Sequence, residues 1–383
     1  MGEQHGGKLL GLGSFGCVFR PEIQCSSQKT VSKDRVSKIF FGKNSKKEAN
    51  FEITIDKEIR SIQGYEKWAI VWDKKCLPKK YSELVKQDKS IEECVMYDNR
   101  ISEDEFNKTR QMLQGEYAGI PLTDKLVNSF KKKDFVDKSS FSKHFLEIMK
   151  QMKPLFIGLK AMYDNKLTHT DIKSDNIMLN NGELKYIDFG LANKMSNRLF
   201  YKNRSMLEFL GDRIYIPYPY EFIYLFAKQV IDDEISDLEY DIFRASNEYY
   251  DAIHDELFNR GKTKPYLINL SKRCISGKLI KQKNDIISLI DTYSVGVLIP
   301  IMLYRIAKSM GHLRKFKEYC KDSKIKPFMD LFKQMCEPDH FNRINPDNAL
   351  KQYTQLYEQF LTDKPKLKPK PKQVKRTVRR KRS

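Results

Sequence analysis

Four residues in one short stretch carry the most specific chemistry in this chain: Asp171, Lys173, Asn176 and Asp188. A carboxylate such as Asp171 can take the proton of an attacking hydroxyl when it lies within hydrogen-bond reach. Lys173 brings a positive charge to the same place, where it can offset the charge that moves with a transferred γ-phosphoryl group. Asn176 offers a neutral oxygen and Asp188 a carboxylate, and hard cations prefer oxygen ligands. Upstream, Gly11-Leu12-Gly13-Ser14-Phe15-Gly16-Cys17-Val18 spaces three glycines so that backbone amides can approach phosphate oxygens without interference from Cβ. Alone, that glycine pattern is ambiguous, because dinucleotide-binding folds share it. Those folds need a helix directly after the glycines. Here Cys17-Val18-Phe19-Arg20-Pro21 is β-rich and ends in proline, so a strand–turn–strand flap over ATP fits better.

Lys38 lies in an apolar strand candidate over 36–41. An inward-facing Lys there needs an anionic partner, which nucleotide phosphates and a helix carboxylate could supply. Phe51, Ile55, Ile59 and Ile62 recur at helical spacing. Glu52 and Glu58 both flank that stripe, and periodicity leaves the choice between them open.

The elements that must hold these residues follow from pattern. Residues 8–10 and 17–19 read as strands around a glycine turn, with further strands at 36–41 and 112–113. A polar, lysine-rich stretch over 74–107 reads as an inserted loop or small helices. From about residue 119 the periodicity becomes helical: Phe145, Ile148, Met149, Met152, Leu155, Phe156, Leu159 and Met162 form one stripe, which Pro154 should kink or break. Strands at 177–179 and 184–187 flank the turn Asn180-Asn181-Gly182.

Composition narrows the classes. With 383 residues, 40% hydrophobic and 12% aromatic, the chain can bury one large core or two lobes and is not generally disordered. The seven Cys form no C-x-x-C pair, which points to reduced thiols and away from a zinc site or disulfide framework. No secretory signal is expected in the first 30 residues. The apolar run 286–307 carries Asp291, Pro300 and Arg305, so it reads as a buried core helix and no transmembrane segment is expected. The formal charge of +20 is concentrated at one end: 364–383 holds eleven Lys/Arg and no acid. Alternating Lys and Pro favour an extended tail, suited to solubilising the chain or to contacting nucleic acid or another anionic surface.

Together, G-L-G-S-F-G-C-V, V-S-K, H-T-D-I-K-S-D-N (169–176) and D-F-G (188–190) stand in the order and spacing of eukaryotic-type protein kinases, and the chain resembles that family over roughly residues 8–360. The resemblance implies an α+β, bilobal protein kinase fold. A small mainly-β N-lobe would span 1–118, with an insert at about 74–107. A larger mainly-α C-lobe would span 119–362, with an insert at about 224–284, and 363–383 would be a basic Lys/Pro/Arg-rich tail. It implies ATP as donor, Mg2+ (or Mn2+) as cation, and a protein substrate. Lys173 places it in the serine/threonine branch, since tyrosine kinases usually carry Arg or Ala there.

Carried over by residue, the resemblance makes Asp171, Lys173 and Lys38 catalytic. It brings Gly11, Leu12, Gly13, Ser14, Phe15, Gly16, Cys17, Val18, Lys38, Glu58, Glu116 and Ala118 to the nucleotide, and Asn176 and Asp188 to the metal. Glu58 is preferred to Glu52 because Glu58-Ile59-Arg60-Ser61-Ile62 resembles the family's helix more closely. His169 takes a packing role. Asp291 looks like the start of the buried helix beneath the catalytic loop, and Glu221 with Arg343 like the pair that ends the activation segment. Gly6 to Gly11, with Gly16 to Pro21 and Cys25, also resembles kinases of large cytoplasmic DNA viruses. A cytoplasmic location is expected, in a host cell or virion if viral, with the nucleus as the option the basic tail adds.

Departures from the pattern carry their own expectations. Thr170 replaces the usual Arg of H-R-D, so activity should not depend on phosphate on the activation segment, where Ser196 and Ser205 lie. The segment 211–215 lacks the usual substrate-loop Thr. About seventy residues separate Glu221 from Asp291, longer than the family needs. Gly115 falls where a bulkier residue normally guards the adenine pocket, which predicts an open back pocket. Cys17 would be open to alkylation from the ATP site. A pseudokinase is disfavoured because Lys38, Asp171 and Asp188 are all present, and a small-molecule kinase because Lys173 and the full glycine loop are.

Overall fold

A computed structural model of the chain describes residues 8–13, 16–28, 30–96, 101–195, 219, 221, 251–258, 269–270, 273, 276 and 278–362. The glycine-loop tip at 14–15, Ser196, Ser205, the segment 211–215, most of the insert after 221 and the tail 363–383 lie outside the described residues.

Five strands, β1 (Lys8–Gly13), β2 (Gly16–Arg20), β3 (Arg35–Phe40), β4 (Trp72–Cys76) and β5 (Gln111–Glu116), form an antiparallel sheet in the order β1-β2-β3-β5-β4. Opposed residues share a face. Val18, Lys38 and Leu113 are opposed across β2, β3 and β5, and Cys17, Ile39 and Met112 form the neighbouring row on the other face. The first face packs against helix α1 (Ser45–Ser61), where Phe40, Ala49, Ile53 and Leu113 make a small core. The second is covered by α2 (Tyr81–Gln87), α3 (Ser90–Met96) and α4 (Glu103–Thr109). Leu84, Ile91 and Phe106 from these helices share a core with Phe19, Ile39 and Met112. Among the described residues, the lysine-rich stretch therefore supplies the end of β4 and three short helices whose apolar residues shield the outside of the sheet.

This arrangement overturns the reduced-thiol expectation for four cysteines. Cys17 is joined to Cys94 and Cys25 to Cys76, across 77 and 51 residues. No local spacing announces such pairs; they meet only when the inserted helices close over the sheet. Among the described residues, Cys320 and Cys336 take part in no disulfide. Cys17 also faces away from Lys38, so its side chain neither borders the nucleotide face nor offers a thiol there.

Beyond β5 the chain becomes helical. A short β6 (Ile120–Pro121) leads into α5 (Leu122–Ser129), followed by α6 (Lys138–Gln151) and α7 (Lys153–Asp164). The expected break at Pro154 is real: it sits in the first turn of α7, where its missing N–H costs nothing. β7 (Leu167–Thr168), β8 (Ile177–Asn180) and β9 (Glu183–Tyr186) follow, with Asn181 (φ 50°) and Gly182 (φ 83°) forming the β8–β9 turn. The helix Ile290–Ser309 is long and apolar enough to cross a membrane, but 89% of its apolar window is buried inside the protein, as its sequence suggests. Arg343 and Glu221 form a fully buried ion pair at 2.5 Å.

The two parts are stitched together behind the site. Tyr186 N donates to Trp68 O at 2.9 Å, and Ile70 N donates to Tyr186 O at 3.0 Å.

Candidate active site

The site lies between the α1 face of the sheet and the loops around β8 and β9. Lys38 projects from β3 beneath Val18 of the glycine flap, and its Nζ donates to Glu52 Oε2 at 2.9 Å and Oε1 at 3.0 Å, with Asp188 Oδ1 at 3.4 Å. The partner is Glu52, not Glu58. Only a few residues connect β3 to α1, so the second turn of the helix passes over Lys38. Glu58 lies about 9 Å further along the axis, on another side, and pairs with Lys194 at 3.1 Å. Burial works against the Lys38 ammonium, but the charges of Asp188 and Glu52 outweigh it and hold its pKa above the ordinary value. For Asp188, burial raises the pKa, while Lys38 and then His169 reverse the shift and hold the carboxylate below its usual range.

The catalytic loop hangs from Asp291 at the start of the buried helix. Its two oxygens accept from His169 N at 2.6 Å and Thr170 N at 3.0 Å. Thr170 takes the left-handed conformation (φ 57°), uncommon for a residue with a branched Cβ. Its hydroxyl donates to Leu191 O at 2.6 Å, tying the loop to the residue just after Asp188-Phe189-Gly190. His169 is fully buried, packs on Phe189 with ring centroids 4.7 Å apart, and shares a hydrogen bond with Ile187 O at 3.0 Å. Burial pushes its pKa down, in keeping with a packing role.

Asp171 Oδ2 accepts from Lys173 Nζ at 3.2 Å and Asn176 Nδ2 at 2.8 Å. Its Oδ1 is buried and has no hydrogen-bond partner among the described residues. A buried acceptor left unmet costs about 1–3 kcal/mol, so this oxygen suits an incoming hydroxyl. Desolvation pushes the Asp171 pKa up to about 6, against the lowering effect of Lys173. Because the Asn176 amide nitrogen is spent on Asp171, its oxygen is the atom left for a cation. Asp188 has φ 56° and accepts from Gly190 N at 3.3 Å. The Asn176 amide oxygen and the Asp188 carboxylate are the oxygens here that could serve a hard cation.

Gly11 and Val18 are opposed in the β1–β2 flap, with Leu12 and Gly13 following in β1 and Gly16 and Cys17 beginning β2. A Cβ on Gly11 would meet nothing within 4 Å, and its φ is not left-handed. Neither packing nor backbone conformation demands a glycine there, which fits close approach by a ligand. At the end of β5, Glu116 is exposed and Ala118 buried.

The open back pocket expected at Gly115 is not formed. A Cβ added there would lie 3.0 Å from Cε3 of Trp72, the residue opposite it on β4. The indole fills the space and donates from Nε1 to Glu52 Oε1 at 2.7 Å. Sequence reasoning weighed Glu52 but preferred Glu58, and it missed Trp72; the short β3–α1 connection was the available signal for Glu52.

This fold and site are those of a protein kinase: residues 5–219 match the family model described as the protein kinase domain, and the chain belongs to that family. Among curated relatives, the chain is 40% identical over 101 residues to the "CTD kinase subunit alpha" of Saccharomyces cerevisiae, covering 26% of this chain and 17% of that protein. It is 43% identical over 49 residues to the "Cell division control protein 2 homolog 2" of Pisum sativum, covering 12% of this chain and 32% of that one. A 52-residue stretch is 42% identical to the "Titin homolog" of Caenorhabditis elegans, covering 13% of this chain. The matched stretches span less than a third of each relative's length.

Proposed function

We propose that this chain transfers the γ-phosphoryl group of ATP to serine or threonine hydroxyls of protein substrates. The observation that carries the proposal is the unmet Oδ1 of Asp171, buried beside Lys173 and Asn176. In this reading Asp171 orients the acceptor hydroxyl and takes its proton as the new O–P bond forms and the bond from Pγ to the β,γ-bridging oxygen breaks, with ADP as the leaving group. Lys173 offsets charge on the group in transit, and Lys38, fixed by Glu52, holds the donor phosphates under the flap of Gly11, Leu12, Gly13, Ser14, Phe15, Gly16 and Val18. Backbone at Glu116 and Ala118 would receive the adenine. Asn176 and Asp188 would hold Mg2+, or Mn2+, which neutralises phosphate charge when bound. The serine/threonine preference rests on Lys173. The lobe division near 118, the inserts and the basic tail as an anionic-surface contact belong to the same proposal. So do a cytoplasmic location and kinship with viral kinases, the last resting on the opening stretch alone.

The test is labelled Mg-ATP with a basic protein acceptor, run beside Asp171→Asn. Incorporation lost in the variant, with label on phosphoserine or phosphothreonine after hydrolysis, is the expected result. Equal incorporation in both proteins, or none in either across several acceptors, overturns the proposal.

A further inference from the structure

Trp72 touches three parts of the site at once. Its backbone N donates to Asp56 Oδ2 of α1 at 2.9 Å, and its indole Nε1 donates to Glu52 Oε1 at 2.7 Å. Its ring lies against Gly115, where a Cβ would come within 3.0 Å of Cε3, and packs on the core of Phe40, Ala49, Ile53 and Leu113. Glu52 therefore holds Lys38 with both oxygens while Oε1 is also gripped from β4. A carboxylate gripped on two sides has little rotamer freedom left.

We infer that Trp72 is a positioning and specificity-determining residue: it locks Glu52 onto Lys38 and fills the back of the nucleotide pocket that Gly115 leaves open. The two residues form a complementary pair, large on β4 and absent on β5, which reverses the division of bulk expected from β5 alone. A Cβ at 115 would force the ring to shift, and removal of the ring would open the pocket and free Glu52 together.

The inference rests on the kinase reading, and its test separates the two. Wild type, Trp72→Phe, Trp72→Leu and Trp72→Ala are titrated calorimetrically with a 4-aminopyrazolo[3,4-d]pyrimidine, with and without a naphthylmethyl group, in the absence of any turnover. Wild type should bind the bulky compound at least tenfold more weakly than its parent, and Trp72→Ala should reverse that order. Trp72→Leu serves if Trp72→Ala does not fold. Trp72→Phe, which keeps a ring and loses the N–H, should lower kcat about tenfold per folded molecule with a smaller change in the KM for ATP, since a hydrogen bond to a charged group is lost. A merely structural role would lower the folded fraction and leave kcat per folded molecule intact. Tight binding of the bulky compound by wild type, or an unchanged kcat in Trp72→Phe, overturns the inference. If wild type phosphorylates no protein while the binding order reverses as expected, the proposed function fails and the pocket assignment stands.

Discussion

Lys38 and Glu52 form a two-pronged ion pair, with the ammonium 2.9 and 3.0 Å from the two carboxylate oxygens. The pair bridges sheet and helix at the point where, in the proposed function, the donor phosphates are held. Glu52→Gln removes the charge but keeps the shape, and should lower kcat/KM by roughly 100-fold through misplacement of Lys38. Glu58→Gln should change it less than twofold, because Glu58 serves only a surface contact with Lys194. Steady-state kinetics on the two variants decide between the positions.

Asp171 must be ionised to take a proton. With its pKa pushed to about 6 by burial, kcat/KM should rise with pH and level off above roughly pH 7. Asp171→Asn should cost about 100- to 10,000-fold in kcat and abolish that limb of the profile. A wild-type profile flat between pH 5 and 7 would sink the assignment.

Thr170 reaches Leu191 O through its own hydroxyl, so the catalytic loop is tied to the segment after Asp188 without any phosphate. Replacing Ser196 and Ser205 together by Ala should leave kcat within twofold of wild type, whereas Thr170→Val, which keeps the shape and loses the donor, should lower it about tenfold. Loss of activity in the double Ala variant would contradict this.

The disulfides close loops of 77 and 51 residues between sheet and inserted helices. Cross-links of that length typically stabilise by about 2–4 kcal/mol each. Treatment with reductant should lower the midpoint of thermal unfolding by roughly 5–15 °C. Cys94→Ser alone should give part of the same loss, and calorimetry checks both.

Asp56 is buried, with Oδ2 bonded to Trp72 N and Oδ1 without a partner among the described residues. Burial, then the charge of Glu52, hold its pKa well above the ordinary value. Its contribution to stability is therefore full below the unfolded pKa of about 3.9 and is lost as pH rises through the folded value. Asp56→Asn should be more stable than wild type by about 1–3 kcal/mol at pH 8, with the gain vanishing toward pH 4. A constant difference across that range would refute the account.

Much of this was legible beforehand. Strand and helix periods placed β1, β2, β3, β5 and α1 but not β4, proline marked the start of α7, and the catalytic loop stood out because Asp171, Lys173, Asn176 and Asp188 are close in sequence. Asp291 was legible because its run resembles the family's buried helix beneath the catalytic loop. What escaped depended on contacts between distant segments. Glu52 and Glu58 flank one stripe equally, and only the tight β3–α1 connection selects the first. Trp72 reads as a generic apolar residue until β4 is seen opposite Gly115. The cysteines pair across the sheet's outer face, which exists only after three helices fold onto it.

The stitch between Tyr186 and residues 68–70 bears on how the molecule can open. The sheet-bearing part meets the helical part through the covalent chain near Ala118, this pair of backbone hydrogen bonds at 2.9 and 3.0 Å, the Lys38–Asp188 and Lys194–Glu58 ion pairs, and a shared core that takes in Ile55, Ile59, Trp68 and Ala69. Prising the two apart would mean breaking backbone hydrogen bonds, ion pairs and a packed core together, so the junction acts as a seam and not as a hinge.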